Sequence, residues 1–343
     1  MPNAEPKSYA DLKVGKPKQS TVTIEASIAP ETLARFRAEV LAEAKQTFKA
    51  PGFREGHVPE AIVLEHIHEH HLLEEAAERA IRASYPEIIE ASGIAPASTP
   101  HLTLKKLADG NPLEFSIEIG VRPAVKLPNY RKIAEKIKDG QPAAAVTDAE
   151  VDAVIEEVRS MRTGEDGVKP EVTDEFAKSV GPFENAAALK EKIRENLLEE
   201  KKEARTREVR KQIADALTAE SKIEVSELSI DDEAASARRE FESALAARKY
   251  ALADYLKQAN KTEEEFNKEE REHAERRIKT RLALQEIAKE EKIEPKAEDI
   301  EHELEHARQH FAGADEADLR MFITDMLAQD LVLALLENPA QAN

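Results

Sequence analysis

No cysteine and no tryptophan occur among these 343 residues, and aromatic side chains make up only 4% of them. Without Cys there can be no disulfide and no thiolate chemistry, and the redox compartment is left open. So few aromatics leave little material for an aromatic-lined ligand pocket. Met1 to Lys18 holds no continuous apolar stretch, so no secretory signal is expected. No apolar run approaches the ~20 residues of a membrane-spanning helix, which predicts a soluble cytoplasmic protein with no membrane partner. Positive charge is also outweighed: Lys and Arg total 50 against 69 Asp and Glu, a net charge of −19. That balance excludes general nucleic-acid binding by bulk attraction, and no sequence-specific nucleic-acid partner is expected. There is no Walker-A loop, no G-x-G-x-x-G after a strand and no G-x-S-x-G elbow. Nucleotide-driven action is therefore not predicted, and no cofactor is implied.

What is present is helix-forming material. Hydrophobic residues are 41% and charged residues 35%, a mix that reads as Ala/Glu/Lys/Leu-rich helices with thin cores. The length allows two or three domains. Ser20 to Ile28 alternates and is β-branched, so it predicts a strand. Pro30 opens a helix to about Phe48, with Leu33, Phe36, Val40, Leu41 and Ala44 on one face. A second helix is expected over Pro59 to Ala91, stopped by Gly93 and Pro96. His101 to Leu107 and Leu113 to Val121 read as strands joined by a turn at Asp109 to Pro112. Residues 1–121 are thus expected to form an α+β domain. Residues 122–172 are expected to form a linker, extended from Arg122 to Ala145 and then helical from Asp148 to Met161. Residues 173–343 are expected to form a larger all-α domain of roughly six helices with long helical arms.

Two histidine patterns raise metal chemistry. His302-Glu303-Leu304-Glu305-His306 fits H-E-x-x-H, in which two helical His hold zinc and Glu acts as base. A zinc metallohydrolase is therefore the rival reading. Helical phase opposes it, since Ile300, Leu304, Ala307 and Phe311 share the face expected to be buried, with His302 and His306 roughly opposite. His66 and His70, four apart on a predicted helix beside His68 and His71, are a second weak candidate pair. No metal site is assigned.

The most informative segment lies between the first two helices: Gly52-Phe53-Arg54-Glu55-Gly56-His57-Val58-Pro59. Two glycines permit a tight tip, prolines at 51 and 59 stiffen its flanks, and Phe53 and Arg54 are offered to solvent. This stretch resembles the G-F-R-x-G-x-x-P signature of trigger factor, the ribosome-associated bacterial chaperone. Leu113 to Ile119 followed by Pro123 to Leu127, Val146 to Asp152, and Leu189 to Leu197 are similar to three further family segments, in the family's order. The resemblance implies an ATP-independent holdase that shields nascent or unfolded polypeptides. It also implies that Gly52, Phe53, Arg54, Glu55 and Gly56 dock on a ribosomal protein beside the exit tunnel. Glu55 and His57 depart from the Lys usual there, and reversing a charge beside Arg54 weakens attraction to an RNA-rich surface. The family's prolyl isomerase domain lies between the linker helix and the long helical domain, and here only Thr163 to Val172 fill that interval. No isomerase is expected. The remaining alternative is a ribosome-independent helical chaperone or scaffold.

Client contact is expected on the last helical segment, Leu319 to Leu336, whose apolar residues cover a wider arc than one packing stripe needs. Met321, Phe322 and Met326 are the candidate client residues, because thioethers adapt to varied apolar partners.

Overall fold

The computed structural model describes residues 8–49, 53, 58–163, 169–311, 313 and 315–338. Two compact units result, Met1–Ala124 with Ile223–Lys279, and Val125–Lys222 with Thr280–Asn343.

The first unit begins with β1 (Ala10–Val14), β2 (Thr21–Ile28), α1 (Pro30–Thr47), α2 (Glu60–His66), α3 (Glu69–Ser92), β3 (His101–Lys106) and β4 (Leu113–Gly120). The strands form an antiparallel sheet in the order β1-β2-β4-β3. Register follows the alternation of the sequence: Val22 faces Ile119, Ile24 faces Ile117, Ala26 faces Phe115 and Ile28 faces Leu113. All eight of these side chains are buried, and α1 and α3 close the core with Leu33, Val40, Leu72, Ala77, Ala80 and Ile88. Each large aliphatic buried this way contributes roughly 1.5–3 kcal/mol. A one-residue slip would turn the whole row outward, so the register is strongly specified.

The remainder is mostly helical: α4 (Tyr130–Gly140), α5 (Asp148–Met161), α6 (Asp174–Val180), α7 (Ala186–Glu220), α8 (Glu227–Ala247), α9 (Leu252–Ala259), α10 (Glu263–Glu290), α11 (Ala297–His310) and α12 (Glu316–Glu337). In the first unit, α8, α9 and the start of α10 meet through Phe241, Tyr255 and Phe266, whose ring centroids lie 4.9 to 6.5 Å apart. Arg238 and Arg277 add ion pairs to Glu263 and Glu233. Exposed pairs of this kind contribute little each, so apolar packing, the aromatic trio with buried Leu256, Ala274 and Ile278, holds these helices.

In the second unit α7 is the spine. Its Val209, Ile213 and Leu217 pack with Ala134, Leu284, Ile287, Val332 and Leu336. Near its start Leu189 joins Phe176 and Ala177 of α6, with Val158 and Ile193 alongside. The α5 stripe finds its partner here, since α5 packs on α7 and buries Val151 and Ile155.

An α+β N-terminal region followed by a helix-rich remainder is what the residues build. Several details differ from the sequence reading. The stretch from Arg122 to Ala145 is not extended throughout: α4 occupies its middle, capped by the Asn129 side chain on the Lys132 amide. Tyr130, Ile133, Ala134 and Ile137 form its apolar stripe, which the prolines at 123, 128 and 142 obscure. The single helix expected over Pro59 to Ala91 is two, because Ile67 and His68 leave helical angles between α2 and α3. β1 is an additional edge strand, almost wholly exposed. Finally, residues 223–279 group with the N-terminal sheet rather than with the other C-terminal helices.

Candidate docking and client surfaces

Both flanks of the glycine-bracketed tip are anchored. On one side Phe48, the C-cap of α1, packs partly buried against the N-terminal core. On the other Val58 is buried, and Pro59 is the N-cap of α2. Phe53, between those flanks in sequence, is 44% exposed. Gly52, Arg54, Glu55 and Gly56 lie outside the described residues, as does His57.

His66 does not pair with His70. Its ring lies 5.4 Å from Phe48, and Nδ1 is 2.8 Å from the Ile62 carbonyl oxygen. His70 lies beyond the α2–α3 break, where its Nε2 is 3.1 Å from Glu74 Oε1. The i,i+4 geometry expected of one continuous helix is lost at that break. On α11, the His302 and His306 rings do meet, edge to face with centroids 4.9 Å apart, on an exposed face. Leu304 is fully buried on the other side, as helical phase requires. Among the described residues no group of three or more His, Asp or Glu is placed to hold a metal ion. Nothing among the described residues supports the zinc-hydrolase reading.

The apolar residues of the C-terminal segment cover a wide arc, interrupted by Arg320, Asp325 and Asp330, and only part of that arc is covered. Asp315 caps α12 by accepting from the amides of Ala317 and Asp318. Ile323, Val332 and Leu336 are buried, the last two in the core around α7. Met321 and Phe322 are each 63% exposed, and Met326 and Leu331 are exposed as well. All three candidate client residues are thus exposed on α12; Phe322 and Met326, four residues apart, share a face, and Met321 lies on an adjoining one. Phe311 adds to the exposed apolar surface, although phase alone places it beside Leu304. It is the C-cap of α11, with φ −117° and ψ 53°, so its side chain leaves the helical periodicity that buries Leu304. Sequence reasoning missed Phe311 for that reason. Gly313 just beyond was the signal of the break.

Arg131, Ala134, Glu135, Lys138, Leu335 and Leu336 line a cleft of about 260 Å³, below the ~300–1,000 Å³ of ordinary ligand sites. No helix among the described residues is long and apolar enough to cross a membrane.

Comparisons with known proteins agree along the chain. A family model described as "Bacterial trigger factor protein (TF)" matches residues 10–158, and one described as "Bacterial trigger factor protein (TF) C-terminus" matches residues 185–339. The trigger factor of Moorella thermoacetica is 27% identical over 348 aligned positions, which take in 76% of this chain and 78% of that protein. That of Carboxydothermus hydrogenoformans is 23% identical over 380, covering 81% and 89%. A solved structure described as "Promiscuous Substrate Recognition in Folding and Assembly Activities of the Trigger Factor Chaperone" matches with a TM-score of 0.55 at 18% identity. It covers 97% of this chain and 100% of its own, and at that identity the likeness concerns the fold alone. With its N-terminal sheet and helices and its C-terminal helices both matched, this chain belongs to the bacterial trigger factor family.

Proposed function

We propose that the protein is an ATP-independent holdase of the cytoplasm that docks on the ribosome beside the exit tunnel and shields nascent or unfolded chains. The observation that carries the chaperone reading is the exposure of Met321, Phe322 and Met326 along α12. A solvent-exposed apolar patch on a soluble helical protein marks an interaction surface, and flexible thioethers suit partners of varied shape. The net charge of −19 keeps the empty protein soluble despite that patch. Dispersed apolar contacts bind weakly and let clients go without nucleotide.

Docking is assigned to Gly52, Phe53, Arg54, Glu55 and Gly56. Phe53 supports this by its exposure between two anchored flanks. Residues 1–121 would then serve docking, 122–172 connection and 173–343 client contact.

Prolyl isomerase activity is not part of the proposal. The two family models leave only residues 159–184 between them, too few for a compact domain. Arg159 Nε donates to the Pro170 carbonyl at 2.6 Å, so the chain returns to α5 directly after leaving it. The alignment with the Moorella protein is longer than this chain although only part of the chain takes part. That relative therefore carries residues without a counterpart here.

The test is aggregation of a denatured model protein in the presence of the intact chain, with and without ATP. Suppression that is independent of ATP is expected. No suppression at several-fold molar excess would refute the holdase assignment.

A further inference from the structure

Ser226 stands at the N-cap of α8, yet its side chain makes no hydrogen bond to its own helix. It is buried, and its hydroxyl accepts instead from Thr21 Oγ1 at 3.1 Å, at the first residue of β2. A serine at this position ordinarily caps the helix it starts, so its use elsewhere points to a contact that matters.

Further bonds run the same way. Ser20 Oγ donates to the Glu224 carbonyl at 2.6 Å, Ser229 Oγ donates to the Ala97 carbonyl at 3.1 Å, and the Thr99 amide donates to Asp232. On the sheet side the Gly120 amide donates to Ser98 Oγ at 2.7 Å, ordering the strand end that α8 meets. Gly120 is what allows the approach. A Cβ there would fall 2.6 Å from Ser229 Oγ, 2.9 Å from Ser226 Oγ and 3.0 Å from Ser98 Cβ. Its φ is not in the left-handed region, so the glycine is required for space rather than for backbone angle. The apolar core of this region is drawn from Tyr9 to Val121, and on the arm side Ile223 and Ile230 are buried as well. What crosses to residues 224–232 in these contacts is hydroxyls, carbonyls, an amide and a carboxylate.

We propose that this serine-lined seam is a releasable latch between the N-terminal sheet and the base of the α8–α9–α10 arm. Water can replace each of its bonds at small net cost, because a protein hydrogen bond exchanges for a water one. Neither the sheet core nor the aromatic trio that fastens the arm lies in the seam. The arm can therefore detach as a body while both sides stay folded. Closed, it fixes the arm to the domain to which docking is assigned; open, it frees the arm to follow a client.

The absence of native cysteine allows a clean distance measurement. Spin labels at Asp109→Cys, in the β3–β4 turn, and Ala247→Cys, at the end of α8, report the separation by pulsed electron resonance in the full chain. A single narrow distribution is expected in the parent. Gly120→Val, tolerated by a strand but not by the seam, is expected to broaden or split it with no change in the circular dichroism spectrum. Ser229→Ala/Asp232→Ala, which alters only the arm side, is expected to broaden it too. The inference is overturned if the parent distribution is already broad. It is equally overturned if the Ser229→Ala/Asp232→Ala distribution stays narrow, whatever Gly120→Val does to folding.

Discussion

Lys201 of α7 donates to Glu150 Oε1 at 2.6 Å, tying the start of the linker helix α5 to the spine of the second unit. The other carboxylate oxygen accepts from the amide and hydroxyl of Thr147 at 2.9 and 3.0 Å, completing a capping box. The Lys201 bond first, and then those from Thr147, hold the Glu150 carboxyl down to about 2. A carboxylate lowered on folding stabilises above its unfolded pKa and loses that contribution as pH falls through the folded value. Thermal melts followed by circular dichroism should therefore show a contribution that is complete at pH 6 and fades from about pH 4.5 toward 2. Glu150→Gln should lower the melting temperature at pH 6 and flatten that acid dependence. An unchanged pH profile would contradict the assignment.

Neighbouring residues on α12 should behave oppositely. Ile323 is 2% exposed and Phe322 is 63% exposed. Ile323→Ala should cost about 2–5 kcal/mol of stability. Phe322→Ser with Met326→Ser should change stability by no more than ~1 kcal/mol while clearly reducing aggregation suppression. Denaturant melts and light scattering read the two effects separately. Loss of stability in the double variant would mean that those side chains belong to the core.

Much of this was legible because local pattern and tertiary role coincide. The alternation of Thr21 to Ile28 gives both β2 and the face that Val22 and Ile24 bury, and Pro30 marks the start of α1. Where the two part, the reading failed. β1 pairs with β2 through its backbone while its side chains stay largely exposed, so burial left no mark on its sequence. No glycine or proline announces the break at Ile67 and His68. The return of residues 223–279 to the sheet is carried by long-range bonds such as Thr21 to Ser226, which no local window contains. Of the candidate sites, Met321, Phe322 and Met326 were proposed from the width of the apolar arc, and all three are exposed. Whether that arc was covered depended on packing against α7, which sequence phase does not supply.

The exposed histidine pair should be dispensable. His302→Ala/His306→Ala, and separately treatment with a chelator followed by desalting, should leave aggregation suppression and melting temperature unchanged. A marked loss in either would restore a role for metal on α11.

Prolyl isomerisation should not be accelerated. With only residues 159–184 between the matched regions, a proline-containing peptide assay should give the uncatalysed rate, tens to hundreds of seconds at 25 °C. Reproducible acceleration by protein cleared of contaminating isomerases would reverse this part of the account.

Ribosome docking through the tip is the central claim, and co-sedimentation with 70S ribosomes tests it most directly. At low salt the intact chain should pellet with ribosomes, and raising salt should weaken this as expected for an electrostatic component. Phe53→Ala/Arg54→Ala should abolish pelleting without changing the melting temperature. Glu55→Lys should strengthen it by removing a negative charge beside Arg54. Pelleting that is absent in the parent, or that persists undiminished in Phe53→Ala/Arg54→Ala, would contradict the account and leave a chaperone that works away from the ribosome or binds it elsewhere.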